Sequence, residues 1–366
     1  MNEQNSYQWK VCVRCMTYNQ SYYITDALKG FTMQQTDFPY VCCIVDDCST
    51  DGEQEVIKQY LQDNFDLEDK SVVRNEETDD YVLCFAQHKS NNNCYFAVLY
   101  LKYNHYSIKK TKMPYILEWN DNTKYIALCE GDDYWIDEHK LQTQVDYMDI
   151  HPECTMTCNR SKLFSVKDGK YIGEQYCRKG DGLLNPIDVI NRTGLYISTC
   201  SIVYRPFIKV NYPGYCVKCK VGDYPLQIMA AMKGNIYYFD DVMSVYRVNN
   251  PSSWMGQQKW GTASLDRIMV VKSQVAMFRG FSIDFPQYAN VFMNKVAEHI
   301  NCNIPHRHNP RKAIANFLCF FEEEISGYSL RWKIDLEIQK LRIPLIRRFY
   351  IRFFLREFHT YRKFYG

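Results

Sequence analysis

Acidic side chains directly follow two apolar segments of this chain. In YIALCEGDDYW, residues 125–135, an apolar run leads to Glu130, Asp132 and Asp133, and YVCCIVDD, residues 40–47, ends in a pair of aspartates. Carboxylate oxygens are the ligands that Mg²⁺ and Mn²⁺ prefer, and such a cation is readily shared with a phosphate group. The two segments are therefore candidates for a metal-assisted diphosphate site.

An alternative for the first segment is a solvated turn in which an aspartate caps a helix beginning at residue 136. The glycine-rich patterns that bind diphosphates are absent, since the sequence has neither GxGxxG after its first predicted strand nor GxxxxGK[ST] anywhere. The sequence thus argues against a dinucleotide-dependent oxidoreductase and against a P-loop enzyme.

The elements that must position these acids alternate between strand and helix. Apolar, β-branched runs predict strands, and apolar residues three and four apart predict helices. The predicted strands lie in 10–19, 40–52, 71–75 and 124–133, and the predicted helices in 21–36, 53–65, 94–108 and 140–153. This alternation predicts an α/β fold with a mostly parallel central sheet and helices on both faces. Both acid clusters would lie at the carboxyl ends of strands, where such sheets bind ligands.

The rest of the chain is less regular. Residues 76–123 are predicted to be an insertion or mobile loop that contains one helix. Beyond residue 160 the elements shorten, with a strand predicted at 199–205 and a helix at 222–234. From about residue 257 a helical region is predicted.

Composition restricts the kinds of partner. The formal net charge of +2 does not suggest a nucleic-acid partner. The 30 tyrosines suit stacking on flat ligands or sugars, and equally suit a core. Neither a signal peptide nor a run of about 18 apolar residues is seen, so we expect reduced thiols and no membrane span.

Two CxxC pairs raise the question of a zinc site. Cys12 and Cys15 fall in a predicted strand, where residues three apart point to opposite faces and cannot hold one metal ion. Cys216 and Cys219 have no second pair at a zinc-site spacing. We therefore expect ordinary thiols at all four positions.

Several segments together resemble a known family. They are MTYNQSYYITDALKG, IVDDCSTDG, YIALCEGDDYW with the following KLQTQVDYM and HPE, and GDYPLQ. In this order and approximate spacing they resemble the inverting family 2 glycosyltransferases of the GT-A fold, over roughly residues 9–255. The resemblance is greatest to bacterial enzymes that build surface polysaccharides such as capsule or lipopolysaccharide.

The resemblance implies roles for residues after the first two strands. Thr17, Tyr18 and Asn19 match a loop in which an aromatic ring lies against the nucleotide base. Asp47 matches the acid that accepts hydrogen bonds from the base, and Asp46 would help to hold the loop.

It also implies a metal ligand and a base. Asp133 matches the ligand of Mn²⁺ or Mg²⁺, Asp132 matches the residue on the ribose side, and Asp223 matches the general base. Asp223 could also merely cap the helix it begins. Where relatives often carry a histidine that touches metal or phosphate, this chain has Asn249, and Arg247 is an alternative phosphate ligand.

The reaction implied is transfer of one sugar from a nucleotide-sugar donor, most often a UDP-sugar in this family, to a glycan or lipid-linked acceptor. Processive relatives carry a Gln-x-x-Arg-Trp motif and membrane spans, and QQKW at 257–260 is only a poor match. The expected organisation is a GT-A domain over 1–255, a helical region over 256–341 and a tail over 342–366.

The tail is rich in arginine and aromatic residues at helical spacing. Such a basic amphipathic helix predicts either contact with an anionic membrane surface or packing on the protein itself. We expect a cytoplasmic enzyme, and the first option would place it at the inner face of the plasma membrane.

Two other functions fit the same acids. A sugar nucleotidyltransferase also needs a nucleotide and a metal ion, but it would not need a base at Asp223. A non-catalytic sugar- or nucleotide-binding protein would keep the fold and would tolerate Asp223→Asn.

Overall fold

The computed structural model describes residues 7–192, 197–257, 265–303, 320, 321 and 323. The predicted tail over 342–366 lies outside the described residues. The chain divides into two compact units. The first unit comprises 1–185, 195–211 and 229–257, and the second comprises 186–194, 212–228 and 258–366.

The described strands of the first unit form one sheet. In chain order they are β1 (Trp9–Thr17), β2 (Tyr40–Asp46), β3 (Phe65–Asp66), β4 (Arg74–Glu77), β5 (Tyr81–His88), β6 (Cys94–Leu101), β7 (Thr123–Leu128), β8 (Tyr134–Trp135), β9 (Cys154–Ser165), β10 (Lys170–Gln175), β11 (Gly182–Leu183), β12 (Val203–Tyr204) and β13 (Asn235–Val248).

The centre of the sheet is parallel. The order is β11-β13-β9-β12-β7-β1-β2-β6-β5-β3, and the neighbours β7, β1, β2 and β6 run in one direction. Val13 of β1 lies opposite Cys42 of β2 and Ala127 of β7. The carboxyl ends of β1, β2 and β7 therefore meet at one edge of the sheet.

The described helices are α1 (Ile24–Thr32), α2 (Glu53–Asn64), α3 (Met113–Asp121), α4 (Lys140–Ile150), α5 (Pro186–Asn191), α6 (Gly214–Val217), α7 (Asp223–Lys233), α8 (Trp254–Gln257), α9 (Leu265–Asp284) and α10 (Ala289–Asn303).

Helices cover both faces of the sheet. Phe31 of α1, Ile57 of α2 and Val145 of α4 belong to a core on one face, and Trp119 of α3 belongs to a core on the other. The predicted α/β architecture is thereby confirmed. Cys15 lies in the first core and Cys12 in the second, so the two thiols point to opposite faces, as the alternation of a strand requires.

Parts of the predicted secondary structure were wrong. The helix expected over 94–108 is strand β6 as far as Leu101. The end of β4, β5 and α3 also lie within 76–123, and that this stretch is an insertion stays a prediction. β6 lies between β2 and β5, and its run CYFAVLYL is apolar throughout because both of its faces are covered. A short apolar run without alternation does not distinguish a buried strand from a helix. The strand expected over 199–205 begins with a 3₁₀ turn, Thr199–Ser201, and only Val203–Tyr204 pair in the sheet.

The described part of the second unit is helical. Its core includes the buried rings of Phe278, Phe281 and Phe292, and the last two stack with centroids 5.4 Å apart. Among the residues that the structure describes, no helix has the length and apolar character needed to cross a membrane.

Candidate active site

The two acid clusters identified in the sequence meet at the carboxyl edge of the sheet. Asp47 donates its backbone N–H to the carbonyl of Thr17 at 3.0 Å, and Gly131 donates to the carbonyl of Met16 at 3.2 Å. The loops that follow β2 and β7 are thus both bonded to the end of β1. This arrangement follows from strand order, because β1 lies between β2 and β7.

Asp133 is buried and only half paired. The backbone N–H of Arg247 donates to its Oδ1 at 2.8 Å, whereas its Oδ2 has no hydrogen-bond partner among the residues that the structure describes. Burial is the main cause that raises the pKa of Asp133 well above its usual value, and the charge of Asp132 adds to it. A buried carboxylate oxygen without a partner is costly unless a ligand or cation meets it.

Asp132, the other acid of the pair, is hydrogen-bonded to a residue that follows β13. Its Oδ2 accepts a hydrogen bond from Asn250 Nδ2 at 3.1 Å. Burial raises the pKa of Asp132, and the bond from Asn250 partly offsets this. Oxygen atoms of two adjacent acids suit one divalent cation that takes its remaining ligands from phosphate and water. The described residues contain no group of three or more His, Cys, Asp or Glu side chains arranged to hold a metal ion.

Asp47 binds the protein's own loop. Its carboxylate accepts backbone hydrogen bonds from His105 at 2.7 Å and Tyr106 at 3.1 Å, and it forms an ion pair with Lys112. Asn104 also donates to the Asp47 carbonyl, at 3.0 Å. The acid thus anchors the loop between β6 and α3, and its contact with a nucleotide base stays a prediction.

Asp46 is completely buried beside it. Ser49 donates its N–H to Asp46 Oδ2 at 3.2 Å, while no described residue forms a hydrogen bond with Oδ1. Burial raises the pKa of this acid, and the hydrogen bonds lower it in part. The predicted part of Asp46 in holding the loop agrees with its bond to Ser49.

The loop after β1 is joined to the loop after β2. Asn19 has a left-handed backbone, with φ of 54°, and its side-chain oxygen accepts a hydrogen bond from the Thr50 N–H at 2.8 Å. Its own N–H donates to Ser49 Oγ at 2.9 Å. Thr17 is buried, and Tyr18, which lies between Thr17 and Asn19 in the chain, is half-buried. The structure therefore brings Thr17, Tyr18 and Asn19 to the same edge as Asp132 and Asp133.

Glu53 was not predicted from the sequence, yet it joins these two loops. This completely buried side chain at the start of α2 accepts hydrogen bonds from the Thr17 hydroxyl, from the Gln20 N–H at 2.9 Å and from the Ser49 hydroxyl at 2.8 Å. Thr50 and Glu53 have the spacing of a capping box, which predicts a local helix-capping role instead. The local pattern did not show that Glu53 faces β1.

Three residues at the carboxyl end of β13 and just after it have different hydrogen-bond partners. The exposed Asn249 donates to Ser165 Oγ at 3.3 Å, and its neighbour Asn250, which was not predicted, contacts Asp132. Arg247 donates from its guanidinium to the backbone carbonyl of Asp132 at 2.7 Å. The suggested contacts of Arg247 and Asn249 with phosphate or metal stay predictions.

Asp223 lies in the second unit, at the first position of α7, as predicted. Its carboxylate is 3.7 Å from the Arg192 guanidinium, which lies 3.6 Å from the centroid of the Tyr224 ring. The Tyr224 hydroxyl in turn donates to the carbonyl of Ile190. The acid is therefore paired with a cation that the next residue helps to hold.

Comparison with known proteins agrees with this fold. Residues 12–82 match the sequence model of the family "Glycosyl transferase family 2". The chain is 28% identical over 247 residues to uncharacterized protein Rv1520 of Mycobacterium tuberculosis and, equally, to uncharacterized protein Mb1547 of Mycobacterium bovis, with 65% of this chain covered. It spans 59% of the length of these relatives.

Among solved structures, the chain is similar to TarS of S. aureus. A crystal structure of TarS residues 1–349 in complex with UDP matches with a TM-score of 0.54 at 16% identity, over 94% of this chain and 87% of that one. A longer TarS structure matches with a TM-score of 0.55 at 15% identity, over 93% of this chain and 54% of that one. The predicted GT-A fold class is confirmed.

Proposed function

We propose that this protein is a metal-dependent, inverting glycosyltransferase that moves a single sugar from a nucleotide-sugar to a hydroxyl group. The observation that carries the proposal is the Asp132–Asp133 pair beside the loops that follow β1 and β2, in which Asp133 is buried and its Oδ2 has no hydrogen-bond partner among the described residues. The family match over residues 12–82 supports it, because it includes those two loops.

Asp133 would hold Mn²⁺ or Mg²⁺, and its buried Oδ2, which has no partner among the described residues, fits that role. Asp132 would lie on the ribose side of the nucleotide. The cation, when bound, neutralises charge on the leaving diphosphate. Thr17, Tyr18, Asn19 and Asp47 would position the nucleotide.

The base in this proposal is Asp223. Its carboxylate takes the proton of the acceptor hydroxyl while the hydroxyl oxygen bonds to the anomeric carbon and the bond from that carbon to the diphosphate breaks. A single displacement from the opposite face inverts the anomeric configuration.

Donor and acceptor are proposed more broadly. The structure of TarS with UDP makes UDP-sugars the first donors to test. We propose a glycan or lipid-linked acceptor of a bacterial surface polysaccharide, from the sequence resemblance alone. The same resemblance and the basic tail support action at the inner face of the plasma membrane.

The experiment is a donor screen with the purified chain. UDP-, GDP-, dTDP- and CMP-sugars are offered with Mn²⁺, Mg²⁺ or EDTA, and release of free nucleotide and calorimetric binding are measured for wild type, Asp133→Ala and Asp223→Asn. Asp79→Asn, a change at an exposed loop acid, is the control.

We expect metal-dependent release from one donor, which both site variants lose and Asp79→Asn keeps. Asp133→Ala should also weaken metal-dependent donor binding, whereas Asp223→Asn should leave binding intact. If no nucleotide-sugar binds to the wild-type chain with any cation, the proposal is wrong.

A further inference from the structure

Arg247, the penultimate residue of β13, contacts both acids of the candidate metal pair. Its backbone N–H donates to Asp133 Oδ1 at 2.8 Å, and its guanidinium donates to the Asp132 carbonyl at 2.7 Å. The other terminal nitrogen of the guanidinium donates to Asp26 Oδ2 of α1 at 2.5 Å. One side chain thus joins α1 and β13 to the loop that carries the acids.

Two tyrosine rings enclose this guanidinium. Its central carbon lies 4.8 Å from the ring centroid of Tyr23 and 4.5 Å from that of Tyr134. Tyr134 directly follows the acid pair, and its hydroxyl is 3.1 Å from the Tyr171 hydroxyl on β10. With only 7% of Arg247 exposed, the side chain is packed as well as hydrogen-bonded.

The guanidinium donates one hydrogen bond from each of its terminal nitrogens, and both acceptors are protein oxygens. One acceptor is the backbone carbonyl of Asp132, in the acid loop (residues 130–133), and the other is the carboxylate of Asp26, outside that loop. Such groups set the orientation of metal ligands without touching the metal.

We propose that Arg247 and Asp26 together are positioning residues that hold the loop 130–133, so that Asp133 Oδ2 is available to a cation before the donor binds. The effect on catalysis rests on the proposed function, whereas the effect on the loop does not. Asp26 is the better position to test, because its side chain is 47% exposed and removing its charge leaves the core intact.

The test compares Asp26→Asn and Arg247→Lys with Arg160→Lys. Arg160 is a matched control on β9, because it pairs with Asp240 and Glu174 and lies 5.7 Å from the Tyr176 ring, and none of these partners belongs to the acid loop. Three quantities are measured: amide hydrogen exchange over residues 129–135, Mn²⁺ affinity by electron paramagnetic resonance, and UDP binding in EDTA.

We expect faster exchange over 129–135 and about tenfold weaker Mn²⁺ binding in Asp26→Asn and Arg247→Lys, with UDP binding in EDTA unchanged. The double variant should lose no more affinity than the more affected single variant, because the two residues act through one contact. Arg160→Lys should match wild type in all three measurements.

If amide exchange over residues 129–135 is unchanged in Asp26→Asn, the proposal is wrong. It is also wrong if exchange is faster but the Mn²⁺ affinity is unchanged. If wild type binds neither Mn²⁺ nor UDP, the proposed function fails, and the exchange measurement alone then decides whether Arg247 and Asp26 hold the loop.

Discussion

Gly131 packs so closely against Thr17 that a Cβ atom on Gly131 would lie 2.0 Å from the Thr17 hydroxyl oxygen and 2.6 Å from its Cβ. Thr17 is buried, and its hydroxyl donates to Glu53, so it cannot turn away without breaking that bond. The acid loop therefore rests directly on the end of β1, and a glycine is required between the two acid positions 130 and 132.

Gly131→Ala should therefore destabilise the fold by about 1–3 kcal/mol, the usual cost of adding a methyl group to a packed site. The same displacement should lower metal-dependent turnover more than tenfold, because it moves Asp132 and Asp133. Denaturant unfolding and nucleotide release measure the two effects. Gly214→Ala, at a position with open space around its Cβ, is the control. Equal stability of both variants would contradict the packing.

Glu53 gives the fold a pH dependence. Burial raises the pKa of this carboxyl above its usual 4.5, in spite of the hydrogen bonds it accepts. Between the usual and the raised pKa the folded state binds more protons than the unfolded state, so the stability contributed by Glu53 falls as pH rises.

The free energy of unfolding of wild type minus that of Glu53→Gln should therefore decrease as pH rises above the usual pKa of 4.5. Urea titrations at several pH values measure it. Glu55→Gln, which changes an exposed acid on the same helix, is the reference for this difference. A difference that increases with pH would show that hydrogen bonding outweighs burial at Glu53.

The contribution of Lys140 to stability has the opposite pH dependence. This fully buried amine at the start of α4 donates to Gln144 Oε1 at 2.6 Å and lies 4.4 Å from the Trp135 ring centroid. Burial lowers its pKa from 10.5 to about 8. Between these values the unfolded state binds more protons, so stability contributed by Lys140 rises with pH.

The free energy of unfolding of Lys140→Met minus that of wild type should therefore decrease by on the order of 2 kcal/mol between pH 7 and pH 10. Chemical denaturation at both pH values measures this change. Lys58→Met is the control, because Lys58 also lies over a tyrosine ring, at 5.2 Å, but its side chain is 51% exposed. A difference that stays constant with pH would mean that Lys140 keeps its proton throughout.

Removal of residues 342–366 should abolish binding to anionic vesicles if the basic tail contacts membranes. Full-length chain and a truncation at residue 341 are sedimented with phosphatidylglycerol vesicles and with neutral vesicles. We expect salt-sensitive binding of the full-length chain to the anionic vesicles only. Equal sedimentation of both chains would contradict a role for the tail.

The local pattern of the sequence determined the architecture and the place of the acids. The short apolar runs before Asp46 and Asp132 predicted strands because turn-forming and acidic residues end them, and the spacing of apolar residues in 21–36 predicted a helix from its period of 3.6 residues. The chain order of these elements was enough to place both acid clusters at one sheet edge. It was not enough for β6, where a uniformly apolar run carries no period.

Only the tertiary structure decided which partner each polar side chain has. Asn250 reaches Asp132 across 118 residues of sequence, and Arg247 reaches Asp26 across 221. Glu53 faces β1 because α2 packs on the sheet, although its own segment resembles a helix cap. Such contacts depend on how strands and helices pack against each other, and packing between distant segments leaves no period in the local sequence.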